Sequence, residues 1–374
     1  MTQKIISAAD NYSELEEWVK DKSCILLVCD DSIKYLPSIS AKISDLEKNG
    51  VNIVRFSGFV PNPVYDSVVE GVKAFRGNGC DAIFAIGGGS SMDVAKCIKL
   101  YSNMEGDGEN GSFLDQAIVP NDIPFLAMPT TAGTGSEATR YAVIYYKGAK
   151  QSITSESIIP SFILHDPSCL MTLPAYQKKA TAMDALCHAI ESFWSVNSND
   201  ESKVYSDAAI EGVITNLDGY LKGDIGCMAG MLNAAYDAGK AINITQTTAG
   251  HAMCYKITSL YGVAHGHAAV LCDRILFPWM VENIDSLECI DPRGTEYLKG
   301  VFSEIAAAMG EKSVEGACNK LKEIFDKLEL AIPESNPEEI DILCSSVNPV
   351  RLKNHPVKLD TDTIKDLYRK ILNV

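Results

Sequence analysis

The chain has 374 residues, with 49 acidic against 33 basic side chains and a formal net charge of −16. A surface that negative disfavours non-specific binding to nucleic acid or anionic membranes, although a local basic pocket can still receive a small anion. The length exceeds what one core usually serves and implies two domains, and 46% hydrophobic with 22% charged residues is ordinary globular composition.

No run approaches the roughly 18 apolar residues of a membrane span. The opening stretch MTQKIISAADNYSELEEW lacks the apolar core of a signal peptide. Twelve cysteines without a CxxC pair, most in apolar segments such as Cys29 and Cys187, read as reduced core residues. These features together predict a cytoplasmic protein.

In chain order, residues 25–29 (ILLVC) read as a buried strand ended by Asp30 and Asp31. A helix is expected over 39–48 and a second strand over 51–56. VPNP at 60–63 is a proline-fixed turn. A helix follows over 64–78, with Val68, Val72 and Phe75 on one stripe. The third strand, 82–86 (AIFAI), runs into Gly87, Gly88 and Gly89, and a helix is expected over 91–100. Residues 106–111 (GDGENG) form a polar loop. A fourth strand, 124–128, ends in PTTAGTGSE at 129–137. Strands alternating with helices predict a parallel sheet with crossover helices. Beyond about residue 165 only helical periods remain, over 181–194, 204–220, 226–242, 303–309, 314–328 and 363–371. The expected fold is therefore an α/β domain with a parallel sheet over 1–165, then an all-α domain over 166–374.

Two stretches carry chemistry. A strand, the contiguous glycines Gly87, Gly88 and Gly89, then Ser90 and a helix make an anion-binding turn, because glycines admit close backbone approach and the helix N-terminus favours phosphate. It is not the GxGxxG fingerprint. Asp93 stands three residues after Ser90, placed to bond backbone or cofactor. TTAGTGSE adds the hydroxyls of Thr130, Thr131, Thr134 and Ser136 at the same carboxyl edge of the sheet, where open α/β sheets bind ligands. Asp30 could accept the ribose hydroxyls of NAD and would repel the 2′-phosphate of NADP; it also reads as an ordinary strand-end aspartate.

The other stretch is MDALCHAIES at 183–192, with Asp184 and His188 one helical turn apart on one face. His251 and His265 follow downstream, and four of the six histidines lie in these two segments. One oxygen and three nitrogens suit Fe²⁺ or Zn²⁺ with a position left open for substrate.

These motifs together resemble the iron-dependent (group III) alcohol dehydrogenase family over nearly the full chain. The matching features are PNP at 61–63, GGGSSMD at 87–93, PTTAGTGSE, MDALCHAIES, and the His251 and His265-Gly266-His267 segments. The resemblance implies a Rossmann-like first domain and a helical second one, a metal and a nicotinamide in a cleft between them, and a homodimer or larger assembly. It implies Asp184, His188, His251 and His265 as metal ligands. It implies Gly88, Gly89, Ser90, Asp93, Thr130, Thr131 and Thr134 as NAD(P) contacts, with Lys150 at the nicotinamide ribose.

The chain also departs from the family pattern. Tyr255 stands where many members carry a further histidine, Lys256 follows it, and Lys240 and Arg140 add two cations. With these the chain looks like the phosphonoacetaldehyde reductase (hydroxyethylphosphonate dehydrogenase) subgroup, in which Arg140, Lys240 and Lys256 would pair with a substrate phosphonate, phosphate or carboxylate. Each also reads as a plain salt-bridge residue.

The implied reaction is hydride transfer between a nicotinamide and a small aldehyde or alcohol, with His267, Tyr255 or water relaying the proton. Three rivals are the same chemistry on a short-chain alcohol, diol or lactaldehyde, a lyase of the dehydroquinate synthase kind, which shares the fold, and a non-catalytic, metal-stabilised binding protein.

Overall fold

The computed structural model describes residues 3–374. It comprises two compact units: residues up to Thr131 with Gly135–Leu173, and Ala132–Thr134 with Pro174–Val374. In chain order the first unit carries β1 (Lys4–Ser7), α1 (Ala9–Val19), β2 (Ile25–Cys29), α2 (Pro37–Lys48), β3 (Ile53–Phe56), α3 (Tyr65–Gly77), β4 (Ala82–Gly87), α4 (Gly89–Tyr101), β5 (Phe125–Pro129), β6 (Tyr141–Tyr146), β7 (Ala149–Thr154) and β8 (Phe162–His165). Six strands pair in parallel in the order β1-β8-β5-β4-β2-β3.

The sheet is buried on both faces, which is why its strands read as unbroken apolar runs. Alternate residues of β2 show the division. Leu26 and Val28 join one core with Val68, Val72 and Val94, whereas Ile25, Leu27 and Cys29 join the opposite core with Leu15, Ile39 and Ile43.

Four strands escape the sequence reading. β1 and β8 are only four residues each and sit at one side of the sheet. The antiparallel hairpin β6–β7 turns at Lys147 (φ 49°) and Gly148 (φ 77°). Two successive positive φ values describe a type I′ turn, and Lys-Gly advertises one less plainly than Asn-Gly.

The second unit is helical: α5 (Ala175–Trp194), α6 (Asp200–Lys222), α7 (Ile225–Thr245), α8 (Ala249–Tyr261), α9 (His265–Asn283), α10 (Thr295–Ala308), α11 (Val314–Lys327), α12 (Glu339–Ser345), α13 (Pro349–Leu352) and α14 (Thr361–Leu372). From Ala180 to Trp194, α5 is buried nearly all round, so it forms the core around which its neighbours pack. Local signals set several boundaries. Asn199 and Ser202 form a reciprocal capping box on α6, and Asp224, Ser313 and Asp360 cap α7, α11 and α14; such caps contribute about 1 kcal/mol each. Among the described residues, no helix is long and apolar enough to cross a membrane.

Candidate active site

The i, i+4 reading of MDALCHAIES places Asp184 and His188 on one face of α5, and the structure adds Glu191 one turn further on that face. His251 comes from the first turn of α8. Ligand atoms of Asp184, His188 and His251, all buried, lie within 4.8 Å of one another. The rings of His188 and His251 stack with centroids 4.3 Å apart. Asp184 Oδ1 and His251 Nε2 face each other at 3.5 Å, and among the described residues neither has a geometrically sound hydrogen-bond partner. Buried polar atoms are rarely left so. A buried oxygen and nitrogen left so, with a ligand atom of His188 within 4.8 Å of both, fit a first-row divalent ion.

Glu191 holds this arrangement from behind. Its Oε1 accepts from His251 Nδ1 and from the His251 backbone N–H at 2.9 Å. Its Oε2 accepts from the Thr248 hydroxyl at 2.6 Å, and that hydroxyl accepts from Trp194 Nε1 at 2.8 Å. A proton held on Nδ1 makes Nε2 the atom that a metal would take, in exchange for the proton it carries.

The electrostatics agree. Burial alone would raise Asp184, but the charges of His188, His251 and His265 hold its carboxyl far below the usual range. Burial pushes His188 down to about 4. His251 is also penalised by burial, yet Glu191 and Asp184 outweigh that and lift it to about 10. Glu191 was within reach of sequence reasoning, since it extends the same spacing by one turn; what was missing was its partner on another helix.

His265 opens α9, and close contact makes this possible: a Cβ on Gly266 would lie 2.1 Å from Ala180 O and 2.5 Å from Asp184 Cβ. The His265 ring lies 5.3 Å from that of His251, outside the tight group of three. Tyr255 stacks on His265 at 5.3 Å and 25°. His267 is two residues further along α9, about 200° round the helix. Its contacts are on that other side: Nδ1 is 3.0 Å from the Tyr176 hydroxyl, and the ring neighbours Phe325. His267 borders a cavity of about 530 Å³ with Tyr176 and Tyr261, and none of Asp184, His188 and His251 lines it. A proton relay through His267 therefore finds no support in its surroundings.

In the first unit, β4 runs into Gly87, whose φ of 151° and closeness to Ser91 (a Cβ would lie 2.2 Å from Oγ) leave room for glycine alone. Gly88 precedes α4, which opens at Gly89 and Ser90, and among the described residues no side chain caps that first turn. Its N–H groups are thus available to an anion. Pairing of Gly87 with Pro129, and donation from Thr130 N to Gly87 O at 3.0 Å, bring Thr130 and Thr131 to the same sheet edge. β2 neighbours β4, so Asp30 arrives there too, accepting from Ser32 N at 2.8 Å and Ser91 Oγ at 3.5 Å. Thr134 groups with the second unit.

Asp93 spends both oxygens on the protein, accepting from Ser136 Oγ at 3.2 Å and Val143 N at 3.1 Å. Beside it the fully buried Lys96 donates to Tyr141 O at 2.8 Å and Thr139 Oγ1 at 3.0 Å. Burial lifts Asp93 to about 6 and drops Lys96 to about 8, each partly offset by the other. The pair anchors the threonine loop to α4. Lys96 was invisible in the sequence, where a lysine on a helix reads as solvated. Lys150 is exposed on β7, near enough for its charge to act on Asp93.

The three cations have different surroundings. Arg140 bonds Glu156 at 2.6 Å and the Tyr141 hydroxyl at 3.2 Å. Lys240 lies between the rings of Tyr205 and Tyr236, at 4.6 and 4.7 Å. Lys256 is half-buried on α8 and, among the described residues, forms no ion pair.

A family model for iron-containing alcohol dehydrogenase matches residues 2–167, and one for the C-terminal part of the Fe-containing alcohol dehydrogenase family matches residues 178–372. The chain is 31% identical to 1,3-propanediol dehydrogenase of Citrobacter freundii over 295 residues, 77% of this chain and 72% of that one. It is 32% identical to phosphonoacetaldehyde reductase of Streptomyces viridochromogenes over 258 residues, 66% of this chain and 64% of that one. Among solved structures, an archaeal halo-thermophilic Red Sea brine pool alcohol dehydrogenase superposes with a TM-score of 0.85 at 26% identity, covering 99% of this chain and 97% of that one.

Proposed function

The chain belongs to the iron-containing alcohol dehydrogenase family, and we propose that it is a metal-dependent, NAD(P)-linked reductase whose preferred substrate is phosphonoacetaldehyde, giving 2-hydroxyethylphosphonate. The buried group of Asp184, His188 and His251 with its orphaned donor atoms carries the reading of the chemistry. His265 would complete the ligand set, for Fe²⁺ first and with Zn²⁺ accepted by the same donors. When bound, the ion supplies Lewis acidity toward a carbonyl and the nicotinamide supplies hydride.

The chain's own part is positioning. Glu191 fixes His251 so that Nε2 is presented. The open turn at Gly87–Ser90 and the hydroxyls of Thr130 and Thr131 would seat the dinucleotide phosphates. Asp30 at the adjoining strand end favours NAD over NADP. Tyr255 stacks on His265, and burial pushes its hydroxyl up to about 12 against the opposing charge of Arg351. It therefore keeps its proton at neutral pH and can deliver it from Oη to the product oxygen.

The substrate reading rests on Lys256. It lies beside Tyr255 on the helix that bears His251 and forms no ion pair among the described residues, in a chain of net charge −16. Arg140 and Lys240 have local partners and are set aside. Their engagement favours a second reading, a neutral short-chain alcohol or diol, as the name of the Citrobacter relative indicates for that protein. The metal-reconstituted enzyme, assayed with NADH and NADPH, distinguishes the two. Lys256→Ala should lower kcat/KM for phosphonoacetaldehyde at least tenfold relative to propanal, the scale of one lost charge-assisted hydrogen bond. Equal losses on both aldehydes would remove Lys256 from substrate recognition and leave the neutral reading.

A further inference from the structure

We propose that Arg351, on α13, is a specificity-determining residue that binds the anionic head of the substrate across the face of Tyr255 from His265. This deepens the anionic-substrate reading and rests on it.

The guanidinium lies 5.4 Å over the Tyr255 ring, and that ring stacks on His265 at 5.3 Å. A strong cation thus stands one aromatic ring away from a proposed metal ligand, all within the helical unit. Most other arginines have their charge or donors committed: Arg55, Arg140, Arg293 and Arg369 hold carboxylates, and Arg76 is spent on main-chain carbonyls. Among the described residues the Arg351 side chain makes one hydrogen bond, from Nη1 to Thr247 Oγ1 at 2.8 Å, and no ion pair. A guanidinium carries five N–H donors in a planar fork that matches phosphonate oxygens. The bond to Thr247 orients this fork and leaves its other donors uncommitted.

The position is also held before any ligand arrives. Asn348 caps α13 by accepting from Val350 N at 2.9 Å. Asn354 Nδ2 donates to Gln246 Oε1 at 3.1 Å and Thr247 O at 3.2 Å, tying the segment to the turn that precedes α8. A fixed cation loses little entropy on binding an anion, so its attraction is largely retained as affinity. Lys256, next along α8 from Tyr255, would add a second charge to the same end of the substrate.

The test compares the metal-reconstituted wild type with Arg351→Ala, Arg351→Gln and Arg351→Lys on phosphonoacetaldehyde and propanal. The quantity read is the ratio of the two kcat/KM values. It should fall roughly 10-fold to 100-fold in the Ala variant, mainly through KM for the phosphonate. Gln can still donate to Thr247 but has no charge, so it should match Ala; Lys should recover part of the ratio. A ratio unchanged in Ala and Gln, or restored by Gln, overturns the assignment and leaves Arg351 as a brace for α13. A wild type with no preference for phosphonoacetaldehyde would instead overturn the substrate reading, and this inference with it. If Arg351→Ala fails to fold, the Gln and Lys variants decide.

Discussion

As proposed ligand sites, the two units are built in opposite ways. The helical unit uses side chains: a carboxylate and two imidazoles from α5 and α8 converge in a buried volume, with a second carboxylate fixing one ring. The sheet unit offers main chain instead: a glycine turn, a helix start that no side chain caps among the described residues, and a strand end. A side-chain site depends on chemical identity at each position, so a single replacement removes a donor. A main-chain site depends on conformation, so most neighbouring side chains can change while its glycine cannot.

The largest effect should come from removing a donor. His188→Ala ought to lose bound metal, counted per chain by elemental analysis, and to reduce aldehyde turnover by about 10³-fold, since Lewis-acid stabilisation amounts to several kcal/mol. NADH affinity, measured by fluorescence titration, should stay within about twofold. A variant that kept its full metal content would break the assignment of the helical site.

A smaller loss is expected one step back. Glu191→Gln keeps the shape but removes the charge that holds His251, and should weaken metal affinity roughly 10-fold to 100-fold. The sign of a pH effect follows from the same contact. Without metal, Glu191 and Asp184 lift His251 to about 10, so at neutral pH it carries a proton on Nε2 that a metal must displace. Metal binding should release one proton, and affinity should rise roughly tenfold per pH unit from neutrality toward that value, then level off. His188, pushed down to about 4, contributes no such slope at neutral pH. Calorimetry in buffers of different ionisation enthalpy counts the proton; a count near zero would mean that His251 is already neutral.

The same contrast explains what could be read from the sequence. Asp184 and His188 were legible because a helix turns spacing into a shared face, and Gly87–Gly89 because glycine runs after a buried strand have few other uses. Three things were not legible. The roles of Arg140, Lys240 and Lys256 depend on whether a partner waits in space, and Glu156 or a tyrosine pair cannot be foreseen from a cation's own neighbours. Lys96 is a lysine on a helix until burial shows it to be an anchor. His265 and His267 look equivalent as letters, yet two residues of helical rotation send them to opposite sides.

The smallest effect on chemistry, and the sharpest separation of the units, should come from Gly87→Ala. The added methyl would meet Ser91 Oγ at 2.2 Å, and φ would remain at 151°, a region side chains other than hydrogen avoid. Ser91 is buried at the start of α4, so its hydroxyl has little room to move. Stability should fall by about 1–3 kcal/mol, read as a lower Tm. NADH affinity should fall severalfold as the turn opens, while metal content stays at the wild-type value. Loss of metal together with NADH affinity would show that the two sites do not depend on separate units. Unchanged NADH affinity would show that the glycine is needed for packing on Ser91 and not for the cofactor.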